Sequence, residues 1–335
     1  MKIACSASGA AMNAALARTV SGWCCAFCLA SIAIAQPYPT KPIRLVVPNP
    51  AGGGVDILAR AIAQPLSERL AQSVVVENRP GAGGTIGIVL VAKSPPDGYT
   101  LGMGVDATLA IAPALYRKLP YDPLKDVAPI SLIATLPMVL VVHPSLPVKS
   151  ARDLIALAKA RPQQIDFSSG GNGTPPHLAA EVFQSMAKAR MNHVPYKGGP
   201  PAITAVVAGE VSLMFANMLP GMPFIRSGRI RAIAVTSDRR SSALRDVPSI
   251  SESGLPGYNI SQWYGLIAPA GTPAAIVSRI NREIREILKL PEIRERLSAE
   301  GAELSSSTPE EFSDFIHKEI AKWGKAVRDS GAQLD

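Results

Sequence analysis

The chain has 335 residues, 47% of them hydrophobic and 5% aromatic, with a formal net charge of +8. Lys2 and Arg18 are the only charges before residue 36, so a net +6 is left for the rest, too sparse and too poor in aromatic partners for a nucleic-acid footprint. All four cysteines (Cys5, Cys24, Cys25, Cys28) also precede residue 36, which excludes a disulfide scaffold, a thiol nucleophile and a thiolate metal site from residues 36–335.

The first 35 residues read as a secretory signal. The apolar run VSGWCCAFCLASIAIA ends in Ala33-Ile34-Ala35, a small-x-small pattern that places cleavage before Gln36. Translation starts at Met1 or Met12. The apolar run is shorter than the roughly 20 residues a membrane span needs, and no cysteine has the small residues of a lipoprotein signal before it. An exported protein is expected.

Beyond the signal, strand-like and helix-like runs alternate. IRLVV (43–47) is a β-branched strand of the kind covered on both faces. A helix over 55–71 follows, then the strand VVVEN (74–78), a helix near 85–93 and the strand GYTLGMG (98–104). SLIATLPMVLVVHP (131–144) contains a strand closed by Pro144. Ser150 and Asp153 make a capping-box-like start to the helix ARDLIALAKA. IDFSS (165–169) is a strand; Thr174 and Pro175 then open a helix running to about Lys188.

The alternation continues through MNHVPY, AITAVVAG, VSLMFAN, PFIRSG and IRAIAVTS, and SQWYGLIAP (261–269) is the last strand expected. From Thr272 onward the chain reads as helical, with a capping box at Thr308 and Glu311 and helix stops at Gly301 and Gly331. Strands alternating with helices predict an α/β fold with largely parallel sheets. Two lobes are expected, each a mostly parallel sheet flanked by helices. Residues 36–142 and 265–335 form the first and 143–264 the second.

Three glycine-rich turns fall between a strand and a helix: AGGGVD (51–56), RPGAGGTIG (79–87) and SSGGNGTPPH (168–177). Each would leave unpaired N–H groups at a helix start, beyond the carboxyl end of a strand, where open sheets bind ligands. The second fails the dinucleotide fingerprint, because Ile86 stands where the last glycine is needed. Together the turns point to a small anion held by main-chain donors.

The candidate contacts from the first turn are Ala51, Gly52, Gly53, Gly54 and Asp56, and from the second Gly83, Gly84 and Thr85. The third contributes Ser168, Ser169, Gly170, Asn172, Thr174 and His177. Tyr196 and Gly198 precede a further helix, and Asn217 ends a strand. His177 is read either as a donor or as a packing residue, Lys197 as an acid's partner or as solvated, and Trp263 and Tyr264 as pocket wall or crossover packing.

No G-x-S-x-G elbow or H-E-x-x-H is present, and His143, His177, His193 and His317 lack metal-ligand spacing. No catalytic residue, metal or cofactor is assigned.

VPNPAGGGVDILAR, VVENRPGAGGTIG, PPDGYTL, PYDPLKD, FSSGGNGTPPHLAAE, VPYKGGPPAITAVVAGEV and WYGLIAPAGTP resemble the substrate-binding proteins of tripartite tricarboxylate transporters, the Bug family, across residues 38–330. The resemblance implies a monomeric, non-catalytic periplasmic binding protein of type II, the Venus-flytrap kind. It would capture a carboxylate for membrane permease subunits or present it to a sensor kinase; an exported enzyme acting on a carboxylated substrate is the remaining alternative. By position, the family's first-lobe loop falls on 51–56, holding a carboxylate largely through ordered waters. The second loop falls on 81–85 and the other lobe's share on 168–174, with 196–199 beside it. Asn49 departs from the aromatic residue common in the family, implying a more open or polar wall. Asn217 stands where many relatives carry Asp, which argues against an amino-acid ligand.

Overall fold

The β-branched run forms β1 (Ile43–Val47), buried everywhere except at Arg44, as a parallel strand covered by helices should be. The computed structural model describes Met1 and residues 38–330. The leader beyond Met1, the cleavage site before Gln36 and the helix stop at Gly331 lie outside the described residues. β1 runs parallel to both its neighbours, β2 (Val74–Asn78) and β3 (Thr100–Val105). A second parallel trio places β5 (Asp166–Ser169) between β6 (Asn192–Pro195) and β7 (Leu213–Asn217).

Two long strands join these trios. β9 (Ser261–Pro269) is antiparallel to β3, and β4 (Val127–Val142) is antiparallel to β9 from Val127 to Pro137 and to β7 from Met138 onward. The order is β2-β1-β3-β9-β4-β7-β5-β6, with β8 (Arg231–Val235) and β10 (Glu303–Leu304) also on β4. The pairing is thus parallel within each trio and antiparallel along the strands that connect them. β4 changes partner at Pro137 and Met138. β10 corrects the expectation that everything after Thr272 is helical. Gly301, at φ +88°, turns the chain out of a helix so that Glu303 and Leu304 pair with Thr135 and Ala134.

The helices are α1 (Gly54–Leu70), α2 (Thr85–Ala92), α3 (Ala112–Leu115), α4 (Ala151–Ala160), α5 (Pro175–Ala187), α6 (Gly199–Ala208), α7 (Met218–Arg226), α8 (Ala274–Ile287), α9 (Pro291–Ala299) and α10 (Pro309–Ser330). α10 packs against β4 and β9 through an aromatic cluster. Trp263 meets the Phe312 and Phe315 rings edge-on, and the Nε1 groups of Trp263 and Trp323 both donate to Glu319 Oε2 at 3.0 Å. Those bonds satisfy two indoles that burial would otherwise leave unpaired.

Both expected helix starts are formed. Ser150 Oγ accepts from the Asp153 N–H at 3.1 Å, while Asp153 reaches back to the Lys149 N–H at 2.9 Å. At α10 the box is reciprocal: the Thr308 N–H donates to Glu311 Oε2 at 2.8 Å and the Glu311 N–H to Thr308 Oγ1 at 3.1 Å. Thr308→Ala is expected to lower stability by about 1 kcal/mol, read from the midpoint of urea unfolding at constant slope.

Candidate functional site

Five helices start at the carboxyl ends of parallel strands and meet on one cavity of about 410 Å3. Val55 lines it from the first turn of α1, Gly84 from the N-cap of α2, and Thr174 and Pro175 from the start of α5. Gly198 and Gly199 line it from the start of α6 and Asn217 from the N-cap of α7. None of the five N-caps makes a side-chain capping bond. All five therefore keep the positive dipole end that suits an anion, and α1, α2 and α7 add first-turn N–H groups to it; α5 opens on Pro175 and Pro176, which have none, and α6 offers Gly199 ahead of Pro200 and Pro201.

The turn before α2 shows why glycine is needed there. Gly81, Ala82, Gly83 and Gly84 all have positive φ, a left-handed run that L side chains rarely adopt. Gly84 also packs closely: a Cβ there would sit 2.9 Å from Thr108 Cγ2 and 3.2 Å from the Pro48 carbonyl. On the far side, Gly198 lies at φ +108°, and a Cβ would fall 2.6 Å from Pro50 Cγ. The loops after β1 and β6 are therefore in close apposition at the cavity.

Of the residues expected at the site, the cavity brings together Gly83, Gly84, Gly170, Thr174, Gly198 and Asn217. Lys197 and Tyr264, left open between two roles, also line it. The others do not. Ala51 and Gly52 are exposed and Gly53 and Gly54 are buried, and none of the four lines the cavity. Gly54 instead makes room for Tyr264, whose Oη would lie 2.9 Å from a Cβ there.

Asp56 is buried with its oxygens taken: Oδ2 accepts from the Gly52 N–H at 2.9 Å, Oδ1 from Asn78 Nδ2 at 2.9 Å, and both from Arg60 Nε at 3.0 Å. Burial raises its pKa, but Arg60, Gly52 and Asn78 outweigh this and hold the carboxyl below its usual range. Asp56 therefore positions the loop after β1. It does not face the cavity.

Thr85 Oγ1 folds back to the Ala82 carbonyl at 2.9 Å, and Ser168 Oγ is buried against the Ala202 carbonyl at 2.9 Å. Thr174 is the N-cap of α5 as expected, but its Oγ1 donates to the Gly171 carbonyl at 2.7 Å and caps no helix N–H; Asn172 is exposed. Tyr196 packs on the core between α6, α7 and β7. Trp263 points away from the cavity, as strand alternation requires of Tyr264's neighbour.

His177 and Ser169 belong to a support behind the loop after β5. The His177 Nδ1 accepts from the Gly173 N–H at 3.1 Å, its ring stacks on His193 at 4.2 Å, and His193 Nε2 lies 2.6 Å from Ser169 Oγ. Burial, and for His177 also the His193 charge, lowers both pKa values to about 4. Both rings are thus neutral in the folded protein at pH 7. Below pH 6.5 the unfolded chain takes up protons that the folded one refuses, so this contribution to stability falls as pH drops from 6.5 toward 4. His193→Gln is expected to lose less stability on acidification than the native chain, by on the order of 1 kcal/mol after solvent screening of these partly exposed rings. Urea unfolding compared at neutral and acidic pH measures it.

Of the polar floor of the cavity, sequence reasoning named Asn49, Asn217 and Tyr264 but missed Asp106 and Gln262. Asn49 Oδ1, Asp106 Oδ2, Asn217 Oδ1, Gln262 Oε1 and Tyr264 Oη are buried atoms lining it with no hydrogen-bond partner among the described residues. Buried polar atoms are normally satisfied, so five orphans on one cavity wall mark a surface shaped for a polar ligand. Asp106 follows the end of β3 and precedes a π-helical turn, Ala107–Ile111. A polar residue just past a strand's carboxyl end was the available signal, but the strand was expected to stop at Gly104. Among the described residues no group of three or more His, Cys, Asp or Glu could hold a metal ion.

This fold and cavity define a two-lobe α/β periplasmic-type binding protein. The family model described as tripartite tricarboxylate transporter family receptor matches residues 58–332. The chain belongs to that family. It is 40% identical over 301 residues to the protein BugT of Bordetella pertussis, covering 90% of this chain and 92% of that one. A solved R. palustris structure with adipate is 38% identical at TM-score 0.86, over 89% of this chain and all of the other. The periplasmic binding protein BugD is 32% identical at TM-score 0.84, again over 89% of this chain and all of the other.

Proposed function

We propose that the protein is an exported, periplasmic receptor that captures a small organic acid in this cavity and passes it on without chemical change. The observation that carries this reading is the convergence of five helix N-termini, none capped by a side chain, on one cavity with a polar floor. Gly83 and Gly84 from one trio and Gly170, Thr174, Gly198 and Asn217 from the other take the ligand's carboxylate end. Asp56, Ser169 and His177 hold the loops in place.

Residues 36–142 with 265–335, and residues 143–264, act as two lobes that close over the ligand about β4 and β9. Family membership supports permease subunits of a tripartite transporter as the partner, with the receptor working as a monomer. Adipate in a 38% identical structure supports a carboxylate as the ligand. Each hydrogen bond to a charged group contributes on the order of 1.5–3 kcal/mol. A few of them, less the cost of closure, reach about −8 kcal/mol, or micromolar affinity.

Titration calorimetry with C4 to C6 carboxylic acids tests the reading. Saturable one-to-one binding is expected, with every acid recovered intact by mass spectrometry. Absence of binding across the series, or turnover of any member, would overturn it.

A further inference from the structure

Asp106 stands at the end of β3 with 1% exposure and lines the cavity. Its Oδ1 accepts the Ala107 N–H at 2.8 Å, and Oδ2 has no partner among the described residues. The ionisable groups that interact with it are Tyr264 on β9 and Glu319 and Lys322 on α10. Lys322 is engaged with Glu319 at 3.2 Å, and Glu319 already receives two indole N–H groups. Among the described residues no side chain supplies Asp106 with a donor.

A dicarboxylate brings acceptors alone. Its ends suit the main-chain N–H groups at the helix starts and Lys197, which lines the cavity beside Gly198 and Gly199. Asn49, Asn217 and Gln262 can turn an amide nitrogen inward to meet such a ligand, but Asp106 can meet it only by keeping a proton on its carboxyl, since the ionised form accepts at both oxygens. A buried carboxylate facing another acceptor is costly, and a positively charged donor removes that cost.

We propose, resting on the reading of this cavity as an organic-acid site, that Asp106 Oδ2 with the Tyr264 hydroxyl forms a cation-accepting subsite, so that the preferred ligands are carboxylates that also carry a protonated amine. The main-chain donors hold the carboxylate and Asp106 holds the ammonium, which fixes the direction in which the ligand lies. Burial pushes the Asp106 carboxyl well above the usual carboxylate range; an ammonium at Oδ2 draws it back down by favouring the charged form. The neutral Asn217, taken alone, argues the other way. The acid the site uses comes from a different strand.

Matched probes of equal length separate the possibilities: adipate against 6-aminohexanoate, succinate against 4-aminobutanoate, and malate against aspartate. Each is titrated calorimetrically into the purified native protein and into Asp106→Asn, with melting curves to confirm that the variant folds. The native protein is expected to prefer the amine-bearing member of at least one pair by about tenfold or more. Asp106→Asn is expected to move that ratio toward the acid or alcohol by a similar factor. A native preference for the dicarboxylates, or an amine preference that survives Asp106→Asn, overturns the subsite while leaving the organic-acid reading in place. Absence of binding by every probe overturns both.

Discussion

Gly198→Val is expected to weaken organic-acid binding at least about 100-fold, or about 2.8 kcal/mol, in a protein that still folds. Gly198 sits at φ +108°, where a β-branched residue is strained by roughly 1–3 kcal/mol. Relief of that strain by moving the backbone would carry away the Gly199 N–H at the start of α6. The new Cβ would also meet Pro50 Cγ at 2.6 Å, driving the loop after β1 away from the loop after β6. Both effects fall on the cavity wall, and Gly198 lies between β6 and α6 and not in the core, so unfolding is not the expected result. Adipate or 6-aminohexanoate, whichever the native chain binds more tightly, is the calorimetric probe. Unchanged affinity would remove this loop from the site.

Gly265→Ala should give the largest loss of stability. Gly265 lies on β9 where it pairs with both β3 and β4, and a Cβ there would come within 2.1 Å of Phe312 Cζ. Phe312 is fully buried, and its ring is wedged edge-on against Trp263 at 5.7 Å. A ring so confined cannot swing aside, so overpacking costs about 1–3 kcal/mol, occasionally more. Phe312→Leu would itself destabilise the native chain by opening space. Combined with Gly265→Ala it should instead recover part of the loss, a favourable coupling of roughly 1 kcal/mol or more in a double-mutant cycle of denaturant midpoints. Simple additivity would mean that the two residues do not compete for the same volume.

The strands and most helices were legible because they rest on local rules. The β-branched run at 43–47, the cap at Ser150 and the reciprocal box at Thr308 and Glu311 depend on residues within a few positions of one another. The glycine turns announced helix starts at strand ends for the same reason. Their side-chain partners were not legible. Asp56 looked like a ligand contact until Asn78, 22 residues away, and Arg60 took its oxygens. Ser169, read as a donor, and His177, read as a donor or a packing residue, meet His193 in a stacked, neutral support.

The sequence by itself determined an α/β chain whose glycine turns open helices at strand ends, since backbone conformation and helix starts are set by near neighbours. Only the tertiary structure decided which atoms line the cavity. β9 and β4 pair antiparallel across more than a hundred residues of chain, and that pairing brings Gln262 and Tyr264 to the cavity that Asp106 lines from β3. Sequence spacing carries no record of such an encounter, because the register of distant strands is fixed by the packing of the whole core and not by any one segment.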